Sequence, residues 1–242
     1  MSDEPYGGFF QFPLCLLAAP GDWQGEIIHR LFAYGVVSFL DKTEEGWRRT
    51  FATREDGMKK AQKVIKFSGG DIGKLMAFHS AGENFTNVWE RAGRKTCEVR
   101  MRKDLYFSAR DQNEPSEREL RVLLGIYSAI GAKSYVKIGW QSIQCRTAGW
   151  LTTPPPKTPD LPCGPMYSRR QIDYTIAGLL VSKLVASVTY RRGERYWSHR
   201  LSADELLQAV INRKQYRQRV RAERAARDAQ ASAAIKPTLL IP

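Results

Sequence analysis

Apolar residues recur at helical spacing in three stretches of the C-terminal half, and the same polar signal opens each of them. Leu120, Leu123, Leu124, Tyr127 and Ile130 fall at i, i+3, i+4, i+7 and i+10, which puts them on one side of a helix. Ser116 and Glu119 mark its start, because the serine oxygen accepts an amide three residues on while the glutamate reaches back to the serine amide, and Gly131 marks its end. Ser168 with Gln171 announces a helix over 168–183 with the stripe Ile172, Ile176, Leu179 and Leu180, opposite Arg170, Tyr174 and Val181. Ser202 with Glu205 announces a third, carrying Leu206, Leu207, Val210 and Ile211 and running on through Arg213, Lys214, Arg217, Arg219, Arg221, Arg224 and Arg227 toward a loose, Ala-rich tail. Between these helices the pattern predicts a short strand at 134–136 and a helix over 138–148 with Ile143 inward. Residues 150–167 read as a loop, since Pro154, Pro155, Pro156, Pro159, Pro162 and Pro165 forbid helix interiors. Val188 and Tyr190 then alternate as a strand, Arg191-Arg192-Gly193-Glu194 turns, and Arg195-Tyr196-Trp197-Ser198 returns as the second arm of a hairpin.

The first part of the chain is less regular. Residues 9–17 suggest a strand, and 23–40 a helix with Ile27, Leu31, Tyr34 and Ser38 on its inner side. A polar, basic stretch over 42–66 holds Arg48, Arg49, Lys59, Lys60 and Lys63. Asp71 is placed to cap a helix with Ile72, Leu75, Met76 and Phe78, a separate pattern of Phe85, Val88 and Trp89 ends at Gly93, and 96–108 is read as strand. Residues 111–115 form the clearest linker. The expected division is an N-terminal α+β domain over 1–113, a unit over 114–201 interrupted by the insertion 150–167, and a basic helix and tail over 202–242.

Composition bounds what this pattern does. The 242 residues are 43% hydrophobic and 11% aromatic, which is sufficient to bury a core. The formal charge of +13 favours an anionic partner. The excess is local: from Arg169 to Arg227 fourteen cations meet five carboxylates. The longest apolar run, 9–19, is interrupted by Gln11 and Pro13 and is too short to span a bilayer, and Ser2-Asp3-Glu4 is acidic where a secretory leader is basic, so a cytoplasmic protein is expected. Cys15, Cys97, Cys145 and Cys163 are far apart in sequence and read as reduced thiols. His29, His79 and His199 have no metal spacing, and no phosphate-cradling Gly-Lys-Ser/Thr loop occurs, so neither an enzyme, a metal nor a cofactor is expected.

Residues 119–130, 141–149, 168–183 and 184–196 together resemble the first, second and recognition helices and the wing of winged helix-turn-helix domains, as found in bacterial transcription regulators and in plasmid and phage replication initiators. The segment departs from that family in the insertion 150–167, where the family has a turn of a few residues, and in having Leu179, Lys183, Leu184 and Val185 where Leu-x-x-x-Gly-Leu-Ile is common. Phe9-Phe10-Gln11-Phe12-Pro13-Leu14 is similar to the opening of the first winged domain in two-domain initiators. The implied fold is mainly α with small β wings (α+β), a C-terminal winged helix-turn-helix preceded by a helical or winged-helix domain.

The resemblance implies sequence-specific binding of double-stranded DNA by a regulator or replication initiator, of a mobile element such as a plasmid or phage. Arg169, Arg170 and Tyr174 would read bases from the start of the third helix, with Asp173 holding an arginine in place. Arg191, Arg192 and Arg195 would meet phosphate or the minor groove from the hairpin, and Arg213, Lys214 and Arg217 would track phosphates from the last helix. All of these are expected to crowd one side of the molecule. Two other readings remain open: a non-catalytic subunit of an RNA-guided or phage-defence nucleoprotein complex, meeting RNA or protein through 150–167, and an adaptor that binds protein only. A homodimer is compatible with each.

Overall fold

The computed structural model describes residues 9–18, 31, 34, 72–102, 116–151 and 161–235. These are mainly helical, with a few small antiparallel strands. In chain order they form β1 (Phe9–Pro13), a 3-10 turn (Leu14–Ala18), α1 (Ile72–Arg91), β2 (Glu98–Arg102), α2 (Glu117–Ile130), β3 (Val136–Lys137), α3 (Trp140–Thr147), α4 (Arg169–Val181), β4 (Ala186–Tyr190), a second 3-10 turn (Arg191–Gly193), β5 (Glu194–Ser198) and α5 (Ala203–Ile235). The basic stretch 42–66, the linker 111–115, most of the insertion and the segment after 235 lie outside the described residues. Of the helix expected over 23–40, Leu31 and Tyr34 are described, and both are helical and buried.

All three capping boxes form. The Ser116 amide donates to the Glu119 carboxylate at 2.8 Å, and the Glu119 amide returns to Ser116 Oγ at 3.3 Å. Ser168 with Gln171 and Ser202 with Glu205 repeat the same pair of distances. Each satisfies amides that have no partner within the helix, an effect of about 1 kcal/mol per cap. α4 leaves through a left-handed residue, Lys183 at φ 55°, while Leu184 N donates to Leu179 O at 3.1 Å.

α2 is the centre of the molecule. Its expected stripe is buried, but so are Val122 and Ile126 on other sides, because α3, α4, β2, β5 and the first 3-10 turn surround it. One apolar cluster joins Phe12, Leu14, Leu16, Leu17, Leu31, Tyr34 and Val99 to α2, Ile143, the α4 stripe and Trp197, so residues before and after position 113 contribute to the same core. The buried Arg121 ties these parts together, donating to Leu17 O at 2.6 Å and pairing with Glu117 at 2.7 Å. β1 pairs with β2, and a separate antiparallel sheet has the order β3-β5-β4, with Val136 opposite Trp197 and Val188 opposite Tyr196.

Several elements differ from expectation. The patterns at 72–78 and 85–93 belong to one helix, α1, in which Trp89 is buried but Val88 is 52% exposed. Gly82, at its middle, is where a Cβ would lie 2.7 Å from the Tyr34 ring, so the glycine serves close packing and not a break. The strand expected at 9–17 stops at Pro13, and the strand expected over 96–108 is Glu98–Arg102 within the described residues. The Ala-rich end that reads as a loose tail continues α5 to Ile235, in keeping with alanine being the strongest helix former. The four cysteines are free thiols, Cys15 and Cys145 buried and Cys97 and Cys163 half-buried, and burial pushes each thiol pKa up. Among the described residues no helix is long and apolar enough to cross a membrane.

Candidate nucleic-acid interface

The hairpin of β4 and β5 organises the cationic surface. Its turn needs left-handed backbone at two successive residues, Arg192 (φ 61°) and Gly193 (φ 74°); glycine does this freely, whereas arginine pays on the order of 1 kcal/mol. Arg191 and Arg192 are both exposed at the tip, with the Arg191 guanidinium 5.7 Å from the Tyr190 ring centroid.

Below the tip, strand alternation separates neighbouring residues. Arg195 and Trp197 face α4, while Glu194 and Tyr196 face α5. On the α4 side the Arg195 guanidinium lies 4.5 Å from the Trp197 ring centroid, donates to Ser187 Oγ at 3.0 Å, and comes within 3.9 Å of Asp173. Its partial burial pulls its pKa down, and Asp173 opposes that shift. Asp173 also lies 3.6 Å from Arg169, whose guanidinium is 5.9 Å from the Trp140 ring centroid. Asp173 thus holds two arginines, one on each element. Arg170 and Tyr174 lie on the outer side of α4, where Tyr174 is 75% exposed and Arg118 of α2 approaches its ring at 6.0 Å.

On the α5 side Glu194 accepts from Lys137 Nζ at 2.6 Å, Lys214 Nζ at 2.7 Å and Tyr196 Oη at 2.9 Å. The two ammonium groups, then the phenol, hold its carboxyl pKa down to about 2, so it is ionised throughout the neutral range. The carboxylate sits at the wall of a cavity of about 360 Å³ between the sheet and the first half of α5, lined also by Lys133, Tyr135, Arg213 and Arg217. Arg213 lies 5.7 Å from the Tyr135 ring centroid. Farther along α5, Arg219, Arg221, Arg224 and Arg227 are exposed.

The expected site residues are therefore gathered in three groups and not on one side. Arg169 and Arg195 meet through Asp173, with Arg170 and Tyr174 beside them; Arg213, Lys214 and Arg217 lie across the sheet; Arg191 and Arg192 occupy the tip common to both faces. Sequence reasoning missed Lys133 and Lys137. The signal was present, because Lys137 alternates with Val136 next to the predicted strand, but only the pairing of Lys137 with Tyr196 carries it to Glu194. Among the described residues no group of three His, Cys, Asp or Glu side chains is placed to hold a metal ion. No protein family, no curated protein and no solved structure matches the chain.

Proposed function

We propose that residues 114–201 form a winged helix-turn-helix unit, interrupted by the insertion 150–167, and that the protein binds double-stranded DNA as a regulator or replication initiator. The order α2, β3, α3, α4, β4, β5 with β5 central in its sheet supports the fold reading. The observation that carries the functional reading is the exposed Arg191-Arg192 tip on the same hairpin whose Arg195 is linked through Asp173 to the start of α4. In this arrangement the α4 N-terminus enters the major groove, where Arg170 and Tyr174 reach base edges and the first amides face phosphate. The tip arginines meet the backbone or the adjacent minor groove, and the arginines of α5, on the other side of the sheet, offer a separate, sequence-independent phosphate contact.

Fluorescence anisotropy on labelled duplex DNA, single-stranded DNA and RNA of matched sequence tests this. The duplex is expected to bind most tightly, and Arg170→Ala to reduce discrimination between a selected site and a random duplex by roughly 1 to 3 kcal/mol while leaving affinity for the random duplex nearly unchanged. Equal affinity for all three nucleic acids contradicts groove reading and favours a single-strand or RNA-binding subunit of a larger assembly.

A further inference from the structure

We propose that the cleft between β3, β5 and the first half of α5 is a phosphate-binding site, in which Lys133, Arg213 and Arg217 supply donors and the Glu194 carboxylate is a resident anion that holds Lys137 and Lys214 in position. Five cations and one carboxylate line this cleft. That carboxylate already takes both lysine ammonium groups, and among the described residues no carboxylate pairs with Lys133, Arg213 or Arg217. A concave wall with an uncompensated charge of one sign focuses its field and raises the local concentration of the opposite ion. The excess positive charge calls for an anion, and the donors of this cleft already show the geometry that holds an oxyanion: two ammonium groups and a phenol converge on Glu194 at 2.6, 2.7 and 2.9 Å. Phosphate fits the remaining donors better than a second carboxylate, since two guanidiniums present planar forks to a group with three or more acceptor oxygens. The volume of about 360 Å³ admits a group of nucleotide size.

This inference deepens the nucleic-acid reading and rests on it only for the source of the phosphate: a DNA backbone in one case, a free phosphorylated small molecule in the other. In both, Glu194 competes with the ligand for Lys137 and Lys214, so its charge sets the affinity of the cleft.

The test uses the full chain and the arginine side-chain Nε–Hε resonances. Inorganic pyrophosphate should shift Arg213 and Arg217 saturably while leaving Arg170 and Arg224 in place. The Arg213→Ala, Arg217→Ala double variant should bind pyrophosphate about tenfold more weakly, and Glu194→Gln about fivefold more tightly, a gain that loss of folding cannot produce. A short duplex that shifts the same two resonances and is displaced by pyrophosphate assigns the site to backbone phosphate. A duplex that binds elsewhere, or does not bind, while pyrophosphate still saturates the cleft assigns it to a free phosphorylated ligand. Pyrophosphate that moves every exposed α5 arginine alike without saturating, or a Glu194→Gln variant that binds no more tightly than the native chain, overturns the proposal.

Discussion

Glu194 and Arg195 are neighbours in β5, yet the surfaces they look onto balance charge in different ways. On the α4 side two cations next to the hairpin are held: Asp173 meets both Arg169 and Arg195, and the rings of Trp140 and Trp197 lie beside their guanidiniums. On the α5 side a single carboxylate stands among five cations around a cavity. The first arrangement fixes side-chain geometry, which is what discrimination between similar ligands requires, at the expense of net field. The second leaves field uncompensated, which raises affinity for any polyanion and is sensitive to salt. One hairpin thus joins a surface suited to selectivity with one suited to attraction.

Both faces depend on one residue, and its removal should have the largest effect. Trp197 is fully buried, donates from Nε1 to Ile138 O at 3.2 Å and lies beneath Arg195. Trp197→Ala should lower unfolding free energy by about 3 to 5 kcal/mol in urea titrations, abolishing the distinction between the faces along with the hairpin's anchorage. Next in size, replacing Arg213 and Arg217, which carry no carboxylate partner among the described residues, together by alanine should reduce the slope of log affinity against log salt by about 1.8 for any duplex, with sequence preference intact. A lost preference with an unchanged slope would reverse the roles assigned to the two faces.

Asp173→Asn acts on the α4 face alone. It releases Arg169 and Arg195 without removing a cation, so it should cost no more than about 1 kcal/mol of stability while altering which duplex sequences are preferred, as read from selection out of a random pool. The smallest effect is in pH. Glu194 has a folded pKa of about 2, below an unfolded carboxylate value of about 4.3, so its contribution to stability is complete above the latter and is lost as pH falls toward the former. Carbon NMR of the Glu194 carboxyl should give a midpoint near 2, moving toward the ordinary range when Lys137 and Lys214 are both alanine; a native midpoint near 4 would mean the clasp does not form in solution.

Local chemistry was readable from the chain, and tertiary placement was not. The three serine-led capping boxes, the α2 stripe and the hairpin with glycine at its tip each depend on residues a few positions apart, so the pattern of types suffices. The division of the cationic residues into two faces depends on what covers each side of β5, which is decided by α4 and α5 arriving from distant parts of the sequence. Lys133 and Lys137 escaped notice for the same reason, since Lys137 acquires its role from Glu194, far along the chain. The patterns at 72–78 and 85–93 read as separate because the Tyr34 ring that packs on Gly82 between them comes from outside α1. The burial of α2 on several sides from Leu120 to Ser128 likewise follows from its neighbours, for its own sequence predicts only one apolar side.

The hairpin tip, where both faces meet, is the part of the molecule on which the proposed binding mode rests. Duplex affinity measured across a salt series for the native chain and for the Arg191→Ala, Arg192→Ala variant tests it. A slope reduced by about 2, equally for all duplex sequences, is the predicted result. An unchanged slope would mean that these exposed arginines do not touch the polyanion, and the proposed mode of binding would be wrong.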